Sequence, residues 1–169
     1  GRMGQRIIAC AAADTVPWHL VAAIERAGHP KLGIDAGMLA GSGEAGVVIS
    51  EAWSCPADVV IDFSLPEAVP SIVEKCLAAK VPLVVATTGF DDAVRTLIAD
   101  AARVIPVLQA PSMSLAVNIA MDLVSRAGTL LKRVGTRTDV EIIECHHRHK
   151  EDSPSGTALK FGAIVQDAM

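Results

Sequence analysis

The sequence has no tyrosine, and its two tryptophans and three phenylalanines bring aromatics to only 3%. That is little material for stacking on nucleic-acid bases. It also lacks a run of Lys and Arg. Fifteen basic residues against 19 acidic ones give a formal charge of -4, which argues against nucleic acid as the main partner. No uninterrupted apolar stretch is long enough to span a bilayer, and no basic-then-apolar leader opens the chain, so no membrane association is expected. Cys10, Cys55, Cys76 and Cys145 are too scattered for a Cys-x-x-Cys pair. They sit in apolar or strand-like surroundings, as reduced thiols of the cytoplasm do, and a cytoplasmic location is the expectation. Core-forming residues are plentiful: 51% of the 169 residues are hydrophobic and 20% charged, which excludes a disordered chain. The length suits one domain, or one domain and part of another.

Both ends read as cut. Gly1-Arg2-Met3-Gly4 opens directly into a helix-compatible run, whereas a glycine turn of this kind normally follows a buried strand. At the other end, residues 163–169 stop inside an amphipathic helix with neither cap nor breaker. A piece of a longer gene product is expected, unstable or inactive by itself because the first strand of a doubly wound sheet lies centrally.

Residues 5–13 read as a helix, and Trp18-His19-Leu20-Val21-Ala22-Ala23-Ile24 as a buried strand ending at Glu25-Arg26. Residues 28–46 are glycine-rich and read as a mobile loop, followed by a short strand at Val47-Val48-Ile49-Ser50. Asp58-Val59-Val60-Ile61-Asp62-Phe63 and Pro82-Leu83-Val84-Val85-Ala86-Thr87 are β-branched runs, apolar on both faces like parallel strands covered by helices. Between them a helix opens at Leu65-Pro66-Glu67, with Pro66 in its first turn. Residues 91–102 have helical spacing, and Val104-Ile105-Pro106-Val107-Leu108 reads as a further strand. This alternation predicts an α/β fold with a Rossmann-type doubly wound parallel sheet over residues 1–112. A composition change at Pro111-Ser112-Met113 marks the junction to the beginning of an α+β domain, residues 113–169. There a long helix spans 114–131, with Leu115, Ile119, Leu123 and Ala127 along one side. Thr138-Asp139-Val140-Glu141-Ile142-Ile143-Glu144-Cys145 alternates like a half-buried strand, and a helix starts at Pro154 or Ser155.

Gly1 and Gly4 fit the last two glycines of a G-x-x-G-x-x-G dinucleotide fingerprint, whose helix N-terminus offers unpaired N–H groups to a pyrophosphate. A tight turn without nucleotide is the alternative. Glu25 lies at a strand end about twenty residues on, where a carboxylate accepts hydrogen bonds from a ribose. Arg26 beside it has the planar fork of donors that holds a 2′-phosphate; the alternative is a solvated Glu-Arg pair. Thr87-Thr88-Gly89 follows a buried strand, the place where open α/β sheets bind ligands, although a glycine-ended strand reads the same way.

The densest chemistry lies in Glu144-Cys145-His146-His147-Arg148-His149-Lys150-Glu151-Asp152-Ser153-Pro154-Ser155-Gly156-Thr157-Ala158. Cationic side chains on one flank and Ser, Gly and Thr at a helix start on the other suit a small dianionic substrate. A histidine near neutral pKa suits proton transfer. A zinc site from Cys145, His146, His147 and His149 is disfavoured, because adjacent residues at a strand end point opposite ways and no second ligand cluster is visible. A solvated basic loop is disfavoured by the neighbouring Ser-Gly-Thr turn, and a regulatory phosphate site remains open on charge alone.

Gly-Arg-Met-Gly, Val-Val-Ile-Asp-Phe-Ser-Leu-Pro-Glu-Ala, Ala-Thr-Thr-Gly-Phe, Ala-Pro-Ser-Met-Ser-Leu-Ala-Val-Asn and the His-rich segment occur in that order along the chain. Together they closely resemble the dihydrodipicolinate reductase family over essentially the whole length. The pattern E-x-H-H-x-x-K-x-D-x-P-S-G-T-A is highly specific; the others are weak singly. The resemblance implies NADPH- or NADH-dependent reduction of 4-hydroxy-tetrahydrodipicolinate to tetrahydrodipicolinate, in lysine and diaminopimelate biosynthesis. It implies that Gly1, Arg2, Met3 and Gly4 form the pyrophosphate turn and that Glu25 and Arg26 contact the adenosine ribose or its phosphate. Ala86, Thr87 and Thr88 would border the nicotinamide, and Ala110, Pro111, Ser112 and Met113 would line the cofactor at the hinge. His146 would be the acid/base residue and Lys150 a proton donor. Thr88, His147, Lys150, Ser155, Gly156 and Thr157 would hold the carboxylates of a cyclic imine. No metal is implied, and the parent enzyme would be a homotetramer. Two residues depart from the pattern. Ala86 stands where the family often has Gly, and Leu65 where some members have Arg or Lys; both leave NADH against NADPH open. Competing readings are another Rossmann-type amino-acid oxidoreductase, such as an aspartate or diaminopimelate dehydrogenase, and a non-catalytic NAD(P)H-binding module.

Overall fold

The computed structural model describes residues 1–13, 18–53, 55–135, 137–146, 148 and 153–169. The chain begins with helix α1 (Arg2–Ala11), capped by Gly1, and passes through β1 (Ala23–Ile24) to α2 (Ala36–Ala40) and β2 (Ile49–Ser50). A 3-10 turn, Pro66–Ala68, then leads from β3 (Val60–Asp62) into α3 (Val69–Ala79), followed by β4 (Leu83–Val85), α4 (Asp92–Ala101) and β5 (Val107–Gln109). Helices α5 (Leu115–Val134) and α6 (Gly156–Ala168) close the order. The result is α/β with every strand pair parallel, as helix-linked neighbouring strands require.

The strands form two sheets, β1-β2 and β3-β4-β5, and among the described residues no strand joins them. The first strand is correspondingly shorter and wetter than the buried strand expected for 18–24. Trp18, Val21 and Ile24 are exposed, because β1 is paired along one edge alone. The core lies in the second sheet. Val69, Val73 and Cys76 of α3 pack with Leu83 and Val85 of β4, Ile98 and Ala101 of α4, and Phe90 and Ile105 on either side of that helix. Buried residues recur on α3 at 69, 73 and 76, the i, i+4, i+7 spacing of one helix face.

Three expectations change. Residues 28–46 contain α2, stabilised by Asp35, whose carboxylate accepts the N–H groups of Met38, Ala45 and Val47 and so fastens helix and following loop together. The strand expected at 104–108 is displaced to 107–109, because a turn after α4 takes up Arg103 and Val104. Residues 138–145 form no strand, since no described strand pairs with them; Val140, Ile142 and Ile143 are exposed instead, beside Val124 of α5 and Phe161 and Val165 of α6. No helix among the described residues is long and apolar enough to cross a membrane.

Candidate functional site

Parallel register brings the sequence-predicted groups to one end of the larger sheet. Asp62 pairs with Val85, and Val85 with Gln109, so the residues after each emerge side by side at the carboxyl ends of β3, β4 and β5. They are Ser64 and Leu65, Ala86 to Thr88, and Ala110 to Met113. Ligands of open α/β sheets bind in such a crevice. Within it Thr87 is buried and Thr88 exposed. The Thr87 hydroxyl donates to Asp62 Oδ2 at 2.8 Å, and Asp62 Oδ1 accepts the Ser64 N–H at 3.0 Å. Thr87 therefore offers the crevice its backbone, and Thr88 its side chain. Burial also pushes the nearby Cys76 thiol up to about 11, with the Asp62 charge adding to it, which leaves that thiol protonated and inert at neutral pH.

The turn at 110–113 is held from the next helix. Asn118 Nδ2 donates to the carbonyls of Ser112 and Ser114 at 2.9 and 2.8 Å, and the Ser114 hydroxyl caps α5 by accepting the Val117 N–H. Asn118 went unremarked as a site residue, although an Asn four residues after a helix-capping Ser was visible in the sequence.

At the start of α1, Glu25 Oε2 lies 3.3 Å from the Gly1 nitrogen, and Oε1 accepts the Arg26 N–H at 3.0 Å. Partial burial pushes the Glu25 carboxyl up, but the Arg26 N–H that donates to it acts to bring it below its ordinary value. Side chains added at Gly1 or Gly4 would meet none of the described residues within 4 Å. An acidic residue beside an open helix N-terminus, with Arg26 next to it, fits a dinucleotide.

The second half of the site is built on the start of α6. Ser155 is buried and caps the helix, its hydroxyl accepting the Ala158 N–H at 3.0 Å. Both its donors go to Glu144: the N–H to Oε1 at 2.9 Å, and the hydroxyl to Oε2 in a short contact. Glu144 Oε2 also meets His146 Nε2 at 2.8 Å. These bonds, from the Ser155 hydroxyl first and then His146, hold the Glu144 carboxyl well down, at about 2. Ser155, expected to grip substrate directly, is thus engaged by Glu144, and the helix start offers Gly156 and Thr157. A Cβ built on Gly156 would lie 3.8 Å from Thr88 Cβ, in ordinary van der Waals contact, so the start of α6 sits against the end of β4. His147 and Lys150 lie outside the described residues. Glu144 is the other residue missed; an acidic side chain directly preceding a His-rich run was the signal.

Residues 1–113 match the family model described as "Dihydrodipicolinate reductase, N-terminus", and 116–169 the one described as "Dihydrodipicolinate reductase, C-terminus". The chain is 48% identical over 170 residues to 4-hydroxy-tetrahydrodipicolinate reductase of Rhodopirellula baltica, covering 98% of this chain and 60% of that protein. It is 44% identical over 173 residues to the protein of the same name from Methylococcus capsulatus, covering 100% and 62%. With that of Anaeromyxobacter dehalogenans it shares 43% over 172 residues, covering 100% and 62%. The chain thus spans 60 to 62% of the length of these relatives.

Proposed function

Because the chain belongs to the dihydrodipicolinate reductase family, we propose that it carries the cofactor-binding part and the start of the substrate-binding part of an NAD(P)H-dependent reductase. Its substrate is 4-hydroxy-tetrahydrodipicolinate and its product tetrahydrodipicolinate, in the route to diaminopimelate and lysine. The observation that carries this reading is the juxtaposition of Thr88, at a sheet end suited to a nicotinamide, with the start of α6, to which His146 is tied through Glu144.

Residues 1–112 bind NADH or NADPH. Gly1 to Gly4 seat the pyrophosphate on the α1 N-terminus, Glu25 and Arg26 take the ribose or its phosphate, and Ala86 to Thr88 with Ala110 to Met113 border the nicotinamide. The reduced cofactor, when bound, supplies the hydride. Residues 113–169 begin the substrate domain. Thr88, Gly156 and Thr157 hold a carboxylate of the cyclic imine, with His147 and Lys150 completing the set and Ser155 shaping the helix start they use. The 4-hydroxyl leaves as water, and hydride addition puts negative charge on the ring, which His146 neutralises by giving up a proton, with Lys150 as the neighbouring cation. Assembly of the parent enzyme into a homotetramer rests on the family resemblance. Four free cysteines support a cytoplasmic setting.

The test is a coupled assay on the full-length protein, in which the preceding synthase makes the substrate from pyruvate and aspartate semialdehyde. NAD(P)H is consumed, and His146→Gln lowers kcat about a hundredfold or more while cofactor affinity stays within a few fold. Undiminished turnover in that variant removes His146 from the mechanism. Reduction of NAD(P)+ by aspartate or diaminopimelate, in place of NAD(P)H oxidation by the imine, points to a dehydrogenase, and binding without any turnover to a non-catalytic module.

A further inference from the structure

Glu144 stands where two parts of the site meet. One carboxylate oxygen takes the Ser155 N–H; the other takes both the Ser155 hydroxyl and the imidazole Nε2 of His146. The Ser155 hydroxyl in turn receives the Ala158 N–H, so the carboxylate is fastened to the first turn of α6. The ring is therefore bound to the same helix start that faces Thr88. The His146 side chain is 38% exposed, enough to sample several rotamers if nothing held it.

The geometry points to Glu144 as a positioning residue, which fixes the His146 ring against the α6 N-terminus and commits Nε2, leaving Nδ1 to exchange the proton with substrate. This rests on the reductase reading above. An ionised carboxylate only accepts, so the hydrogen between the two groups sits on Nε2. The neutral ring then carries a bare Nδ1 and the charged ring an Nδ1–H, and the proton that comes and goes is always on the same nitrogen. Glu144 itself stays ionised through the neutral range, which keeps it out of the proton-donor role. Its second pair of bonds, to Ser155, sets the ring relative to the seat of the substrate carboxylate, so its loss disturbs both turnover and substrate binding.

A double-mutant cycle in the full-length protein tests this, with Glu144→Gln, His146→Gln and the pair compared for kcat, KM for the imine and Kd for NADH. Glu144→Gln is expected to lower kcat by on the order of ten- to a hundredfold and to raise the imine KM, with NADH Kd unchanged. The pair should then be no slower than His146→Gln alone by more than about twofold, because one residue acts through the other. A purely stabilising residue would lower the melting temperature, leave the imine KM alone and multiply the His146 loss; that outcome overturns the assignment, as does wild-type kcat in Glu144→Gln. Should the Gln variant fail to fold, Glu144→Asp, which keeps the charge on a shorter arm, enters the same cycle with the same expectation. A full-length wild type that consumes no NAD(P)H sinks the reductase reading and this assignment with it. Turnover with multiplying losses sinks this one alone.

Discussion

Asp62 is a carboxylate 4% exposed at the carboxyl end of β3, and Thr87 and the Ser64 N–H are what make its burial tolerable. The two bonds pin the end of β4 to that of β3 just where the site begins. Thr87→Val keeps the shape and removes the donor, leaving a buried acceptor short of one bond. We expect a loss of about 1–3 kcal/mol in denaturant unfolding, and an unchanged midpoint would show that Thr87 does not hold the strand end. The inward turn of Thr87 could have been foreseen. Leu83, Val85 and Thr87 share one parity along an extended chain, and all three are buried, whereas Thr88 falls on the other face and is open. Glu144 was harder to foresee, since its two partners lie 2 and 11 residues away and meet only when the chain turns back into α6.

At the scale of elements, local signals sufficed where a side chain caps its own helix. Asp91, Ser114 and Ser155 each accept the N–H three residues on, and the helices after them begin where the sequence places them. They failed where an element depends on distant partners. Helix α2 has only five residues and exists through Asp35, which reaches across ten and twelve positions to Ala45 and Val47. Residues 138–145 alternate as a strand should, yet a strand forms only beside another strand, and no described strand pairs with them. Helix α5 shows the same dependence. Leu115, Ile119 and Leu123 form the stripe visible in the sequence, but the face turned inward carries Met121 and Gly128, where α6 packs so closely that a Cβ on Gly128 would come within 2.8 Å of Ala168 Cβ. The element with the firmest seat is β4, buried between partners on both edges. Leu83, 1% exposed, fills its core face, and Leu83→Ala should cost about 2–5 kcal/mol of unfolding free energy by chemical denaturation. A cost under 1 kcal/mol would mean that the core is not centred there.

Over the whole molecule, parallel pairing puts the carboxyl ends of β3, β4 and β5 on one edge, and α6 begins opposite that edge. Fold class and most of the site were legible because helix-strand alternation and the segment around residues 144–158 are local in sequence. The division of the strands between two sheets was not legible in any segment, since it depends on which strands find neighbours. The central claim is that substrate docks where Thr88 and the start of α6 meet. Gly156 is the place to test it, because a Cβ there would already touch Thr88 at 3.8 Å, and a branched side chain would cover the seat. In the full-length protein, steady-state kinetics of Gly156→Val should show KM for the imine raised about tenfold or more, with NADH affinity and melting temperature close to wild type. An unchanged imine KM in a folded Gly156→Val protein would contradict the account.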